Sequence, residues 1–323
     1  MNIRTSIYRI LAALMAGVMM LLAGTAAGSG GWTARRPDEC VMTFTVLSDV
    51  HVEGNNLARY QVFTRSLRDA ARNKDSKAVV FLGDNTMNGQ TGEHLLFHGA
   101  VAKLLPEDQN VLVCLGNHDV GNGEGDYEQL QNRWYAFQEA FFGRKLTHPY
   151  YAEVIGGCTF IALGMEAHET FLVSEEQFAW LEGVLAEAAG SGMPAFVFSH
   201  FPTHYARGKN AEGDRLTDVL AAYAETNDLF SFVGHTHMPM HTYWSFDEDD
   251  GYPEIYLPRL TDLRGENDDE PYSDTGVGVQ VEIYANEVSV RARDFYRGQW
   301  KLDQWEDDLP LLERTYQLKN PVG

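Results

Sequence analysis

The sequence predicts a mixed α/β core with helices on its outer faces. Two observations carry that prediction. Short apolar runs alternate with segments of helical periodicity from residue 41 to residue 233, and from Met240 onward turns and alternating strands take over. A third observation bounds it: no internal repeat and no long linker divides the 323 residues, so a single domain is expected.

The elements follow in chain order. Residues 41–47 form an apolar, β-branched run, and 57–72 have helical spacing. Residues 78–82 read as a short buried strand, 92–105 as a helix, 111–115 as another strand and 127–142 as a long amphipathic helix. Residues 150–155 and 158–163 flank Gly156-Gly157 and predict a hairpin. Ser174, with Glu175, Glu176 and Gln177 behind it, caps a helix that runs to Ala189. Residues 194–198 and 229–233 are two more buried strands, with a helix over 214–225 between them. Residues 277–284 and 288–292 read as strands. The acidic stretch after Gln299 reads as a surface-docked extension, so the expected domain is 41–299 and the extension 300–323.

The charge balance is acidic, with 25 Lys plus Arg against 46 Asp plus Glu and a formal charge of -21. Such a surface repels phosphates, and no Lys/Arg cluster relieves it, which argues against coating a nucleic acid. An anionic substrate then needs concentrated local positive charge, which a metal ion supplies.

At the N-terminus, Arg4 and Arg9 precede the apolar run 10–23, and the small residues Gly24, Thr25, Ala26 and Ala27 follow. That order reads as a secretory signal over 1–27, cleaved near Ala27, with a linker over 28–40. Export to the cell surface, periplasm or medium follows. The alternative is a retained membrane anchor, because the run extended to Ala27 approaches the ~17 residues a span needs.

Three cysteines are few for an exported chain. Cys114 sits inside an apolar run and reads as a buried small hydrophobe; Cys40 and Cys158 have the option of pairing.

Five apolar runs end in residues able to bind a metal. They close on Asp49-Val-His51, Gly-Asp84, Gly-Asn117-His118-Asp119, Ser-His200 and Gly-His235-Thr-His237. Singly, Asp49 or Asp84 reads as a helix cap, Asn117 as a left-handed turn residue, and His200 as a packed surface histidine. In open α/β sheets, however, ligands bind beyond the carboxyl ends of the strands. Five such ends would converge on one site, and the two His-x/Asp-x spacings let alternate side chains of an extended segment point the same way.

In this order the motifs resemble those of the calcineurin-like metallophosphoesterases, over Asp49 to His237. The resemblance implies a four-layer αββα sandwich of two mixed sheets flanked by helices. It implies two divalent or trivalent metal ions, Mn, Fe or Zn, with Asp49, His51 and His237 on the first, Asn117, His200 and His235 on the second, and Asp84 bridging them. Carboxylate, imidazole and amide-oxygen ligands suit those metals. Such a pair clamps a phosphoryl group and turns a bound water into a hydroxide nucleophile. The activity implied is hydrolysis of a small phosphomonoester or phosphodiester, with a membrane as partner only if the N-terminal segment is uncleaved.

By the same resemblance His118 is the general acid, or stabilises charge, at the leaving oxygen. In many relatives a G-D-x-x-D motif provides the Asp that orients this His, but Met87 occupies that place here. Asp119 or another carboxylate has the option of replacing it. Purple acid phosphatases carry a metal-bound Tyr at the Met87 position and lack a counterpart of His51, so a plain member of the family is implied.

Of the other histidines, His94 and His98 at helical spacing are expected on an exposed or half-buried face. His168, just beyond a strand, is a candidate substrate contact, and His204 and His241 lie near the ligand motifs. A non-catalytic metal-binding or scaffold protein on the same fold is the rival reading. Ligand completeness at all seven positions weighs against it, and the order of the motifs weighs against an amide-cleaving metallohydrolase.

Overall fold

The computed structural model describes residues 3–23, 31–32, 34–206, 215–240, 242–261, 274–301 and 312–322. The cleavage site near Ala27, the start of the linker and His241 lie outside them.

Two sheets form the centre. One is built from β1 (Cys40–Leu47), β2 (Ser76–Phe81), β3 (Asn110–Val113), β10 (Val277–Tyr284), β11 (Glu287–Asp294), β12 (Gln299–Trp300) and β13 (Glu313–Gln317). Its order is β12-β11-β10-β1-β2-β3, with β13 also on β11. The other holds β4 (Tyr151–Ile155), β5 (Cys158–Ala162), β6 (Ala195–Ser199), β7 (Leu229–Val233), β8 (Phe246–Asp247) and β9 (Glu254–Tyr256), in the order β4-β5-β6-β7-β9-β8. Both sheets are mixed: β1, β2 and β3 run parallel, as do β5, β6, β7 and β9, while their neighbours are antiparallel.

Period-two alternation explains the layering. In β2, Ala78 and Val80 face the partner sheet, whereas Val79 and Phe81 face helices α2 (Leu57–Ala70) and α3 (Thr91–Leu104) through Phe63, Leu67, Leu96 and Phe97. Between the sheets, Phe44 of β1 meets Phe160, Phe196, Phe198 and Phe232 edge-on at centroid distances of 4.9 to 6.1 Å, a favourable aromatic geometry. Helices α5 (Glu175–Ser191) and α6 (Arg215–Ala224) bury Phe178, Leu181, Leu185, Leu216 and Leu220 in the same core as the six-stranded sheet. The expected four-layer αββα sandwich is the fold observed.

Local signals agree with local structure. Ser174 accepts from the Gln177 amide at the start of α5, and α4 (Tyr127–Phe142) is capped by Asp126 and closed by a left-handed Gly143. Among the described residues beyond Asp294, β12 and β13 each pair antiparallel with β11. The three cysteines are free thiols, and Cys114 is buried.

One expectation is corrected. His94 and His98 are both buried, each about 1% exposed. The reason is α1 (Ile3–Ala23), which lies over α3: Tyr8 stacks on Phe137 at 4.8 Å, and Phe137 in turn stacks on His94 at 5.0 Å. The approach is close because Gly99 has no side chain, since a Cβ there would fall 2.7 Å from the Ala12 carbonyl. The opposite face of α1 exposes Ile10, Leu14, Val18, Leu21 and Leu22, so the helix is apolar on both faces. By length and composition it is able to cross a membrane, and a signal sequence passes the same test.

Candidate metal centre

The parallel strands deliver their carboxyl ends to one edge of the sandwich. Asp49 and His51 follow β1, Asp84 follows β2, Asn117 and His118 follow β3, His200 follows β6, and His235 and His237 follow β7. The turns there are strained. Asp49, His51, Asp84, His235 and His237 all have positive φ, between 46° and 63°, a region side-chain-bearing residues enter at a cost and which concentrates at functional sites. Backbone bonds brace them: the His51 amide donates to the Asp84 carbonyl at 2.8 Å, and that of Gly234 to the His200 carbonyl at 3.0 Å.

The glycines of the motifs have a steric reason. A Cβ on Gly116 would fall 2.3 Å from Asp84 Oδ1, and one on Gly234 would fall 2.8 Å from Asp49 Oδ2. Either side chain would displace a carboxylate from the centre.

Donor atoms gather in two groups. In the first, His237 Nε2 lies 3.1 Å from Asp49 Oδ1 and 3.4 Å from His51 Nε2. In the second, His200 Nε2 lies 2.9 Å from Asn117 Oδ1 and 3.3 Å from His235 Nδ1, which is itself 3.2 Å from Asn117 Oδ1. Asp84 Oδ2 touches both groups, 3.7 Å from His51 Nε2 and 3.2 Å from His200 Nε2. Ligands on metal bonds of ~2.0–2.1 Å sit about 3–3.4 Å apart at right or tetrahedral angles. Apart from the 3.7 Å between Asp84 and His51, the nitrogen and oxygen spacings suit metal ligands, and three groups drawn from Asp49, His51, Asp84, His118, His200 and His237 are close enough to hold an ion.

Supporting contacts aim these atoms. Asp49 Oδ2 accepts from the Ser48 hydroxyl at 2.5 Å and the His235 amide at 3.2 Å, which leaves Oδ1 for the centre. His200 Nδ1 donates to the Leu82 carbonyl at 3.1 Å, so its Nε2 faces inward, where it can ligate a metal once its proton is released. The Asn117 amide nitrogen donates to Asn122 Oδ1 at 2.7 Å, turning its oxygen inward.

The electrostatics agree. Burial works to raise Asp49, but hydrogen bonds from His237 and His51 outweigh it and hold the carboxyl well below its usual range. Burial likewise opposes ionisation of Asp84, and His200 overcomes it. His200 is pushed down by burial yet pulled up to about 9 by Asp84 and Asp49, whereas burial and the His200 charge bring His235 down to about 4. Two buried carboxylates kept ionised among imidazoles make a site that favours cations.

His118 stands beside these groups with its side chain 17% exposed to solvent. Its amide donates to Asp84 Oδ1 at 2.8 Å, and its ring meets that of His51 edge-on at 4.6 Å. Its Nδ1 donates to the backbone carbonyl of Met87 at 2.7 Å, and its Nε2 lies 4.0 Å from Asp84 Oδ2. Asp119 does not take the orienting role open to it. Its buried carboxylate accepts instead from the Thr86 amide and hydroxyl at 2.9 Å each, from the Gly116 amide at 3.1 Å and from Asn85 Nδ2 at 3.2 Å. It ties the loop of Asp84 to the loop of Asn117.

The remaining histidines lie apart. His168, on the segment after β5, has its Nε2 3.3 Å from the Gly125 carbonyl and its ring against Tyr127, and it belongs to none of the candidate metal-holding groups among the described residues. His204 is exposed, with Nδ1 3.4 Å from the Tyr256 hydroxyl. One feature escaped sequence reasoning: the Met87 carbonyl, which accepts from His118 Nδ1.

Comparison with known proteins follows the geometry. A family model described as calcineurin-like phosphoesterase matches residues 42–239. A comparison with curated proteins gives no significant match. Among solved structures, the chain is similar to a dimetal phosphatase from Danio rerio, at 16% identity and a TM-score of 0.56, over 87% of this chain and 100% of that one. It is similar to a purple acid phosphatase from yellow lupin seeds at 13% identity and a TM-score of 0.54, over 85% of this chain and 53% of that one. A third is GAP50, titled the anchor in the inner membrane complex of Plasmodium, at 13% identity and a TM-score of 0.53, over 87% and 89%. At these identities the structural likenesses speak for the fold.

Proposed function

Because the chain belongs to the calcineurin-like phosphoesterase family, we propose that it hydrolyses a small phosphomonoester or phosphodiester at a centre of two metal ions. The observation that carries this reading is Asp84 Oδ2, which touches both groups of donor atoms. Asp49, His51 and His237 would hold one ion, Asn117, His200 and His235 the other, and Asp84 both. Bound there, the ions supply fixed positive charge at the phosphoryl oxygens and acidify water for the attack. Mn, Fe and Zn all suit this donor set.

The chain's own residues do the rest. His118, with its Nδ1 proton held by the Met87 carbonyl, directs Nε2 toward the centre. With both ring nitrogens protonated it would donate the Nε2 proton to the leaving oxygen, keeping the Nδ1 proton on the Met87 carbonyl. The Asp119 carboxylate keeps the two ligand-bearing loops in register. Residues 41–299 would form the catalytic domain, and the N-terminal helix would act as an export signal or as an anchor. A non-catalytic scaffold or anchoring role, such as that of GAP50, the anchor in the inner membrane complex of Plasmodium, is disfavoured by a complete donor set.

The test is hydrolysis of paired chromogenic phosphomonoester and phosphodiester substrates, after chelation and after return of Mn, Zn or Fe. Metal-dependent turnover supports the reading and the substrate ratio assigns the ester class. A folded, metal-loaded chain with no turnover on either substrate overturns it in favour of a binding role.

A further inference from the structure

Strand β9 lies beside β7 in the six-stranded sheet, with Glu254 level with Ser231. Glu254 is buried, 3% exposed, and the chemistry proposed above makes no use of its carboxylate. Both of its oxygens go to one residue. Oε1 accepts from the Thr203 amide at 2.8 Å, and Oε2 from the Thr203 hydroxyl at 3.1 Å. The Tyr256 hydroxyl also donates to Oε2 at 3.4 Å, and the Tyr252 hydroxyl lies 2.9 Å from that of Thr203. The placement is costly. Burial pushes Glu254 up to about 7, and Asp250 and Asp247 add to that push against the Thr203 bonds.

Thr203 closes the loop that carries His200. At its start the His200 carbonyl accepts from the Gly234 amide at 3.0 Å. The Phe201 ring then packs on that of His235 at 4.1 Å, and Thr203 opens the short helical turn Thr203–Tyr205. Residues 200–203 therefore bear one imidazole of the second donor group and touch the other. We propose that Glu254 is a positioning residue for that group, fixing the His200 loop to β9 through Thr203. This rests on the reading of Asn117, His200 and His235 as donors to a second ion of a phosphoesterase centre. An amide and a hydroxyl of one residue, both bound by one carboxylate, fix its place and its orientation together. Partners that orient metal ligands in this way contribute strongly to metal affinity without touching the ion.

The experiment follows Mn binding to the full chain by calorimetric titration and metal content, for the wild type, Glu254→Ala and Glu254→Gln. The wild type should take up about two ions per chain. Glu254→Ala should weaken one of them roughly 10- to 100-fold and leave the other within about twofold. Glu254→Gln keeps an oxygen for the Thr203 amide, so it should stay within about threefold of the wild type at both ions. In an Asn117→Ala chain, already short of a donor in the second group, Glu254→Ala should weaken binding by less than about threefold further. If Glu254→Ala fails to fold, Thr203→Val takes its place, since it removes the hydroxyl contact alone. It should weaken the same ion roughly 3- to 10-fold. Both ions weakened alike, or neither, overturns the assignment, because a merely structural role would not single out one ion. A wild type that binds two ions but hydrolyses no ester removes the phosphoesterase reading by itself, and the titrations still decide Glu254. A wild type that binds no second ion overturns both.

Discussion

His118 is oriented by a peptide carbonyl: its Nδ1 lies 2.7 Å from the oxygen of Met87. Met87 was the sequence's apparent defect, because a thioether accepts hydrogen bonds only weakly. The backbone at the same residue supplies what the side chain lacks. The bond fixes the ring and its tautomer while adding no charge, and the Met87 amide is itself tied to the Val52 carbonyl at 3.0 Å.

The side chain of Met87 should therefore be dispensable. Met87→Leu is expected to change kcat by less than about threefold, while His118→Asn lowers it by ~10²–10⁴. The His118 loss should grow as the leaving group becomes poorer, which a series of aryl phosphoesters reads directly. Equal losses across the series would remove His118 from proton donation.

Asp119 should matter for stability as well as for activity. Asp119→Ala takes the acceptor from the Thr86 and Gly116 amides in a buried setting and leaves Asn85 Nδ2 only its bond to the Cys114 carbonyl. Unfolding in urea should show a loss of roughly 2–4 kcal/mol. Metal affinity should fall too, since Asp84 and Asn117 sit on the two loops it joins.

His94 and His98 predict an acid-sensitive fold. Burial drives His98 down to about 3 and His94 well below its ordinary value, helped at His94 by the charges of His98 and Arg133. The unfolded chain, with histidines near ~6.5, binds protons that the folded one refuses. This stability is full above that value and is lost as pH falls toward 3, at up to ~1.4 kcal/mol per pH unit for each histidine. His98→Phe should flatten the slope in urea titrations across pH 4–6.5. So should a chain beginning at Gly28, because α1 lies over α3; an unchanged slope there would show that α1 does not shield the pair.

How much was legible follows from the range of each signal. Asp49, Asp84 and the two His-rich ends were readable because each is a short-range pattern, an apolar strand stopping at a donor. The glycines before Asp84, Asn117 and His235 were part of that pattern, and the steric reason at Gly116 and Gly234 explains why. The partner of His118 was not legible, because a backbone carbonyl leaves no mark on residue type. The burial of His94 and His98 depends on α1, some 70 residues earlier in the chain, a contact no local window contains.

The most direct test of the shared-ligand centre is metal content measured alongside hydrolysis for the wild-type chain and Asp84→Asn. The wild type should hold about two ions per chain and hydrolyse a phosphoester only when loaded. Asp84→Asn should lose at least one ion and reduce turnover by ~10² or more. Full activity in Asp84→Asn, or in the metal-stripped wild type, would contradict a dinuclear centre built on Asp84.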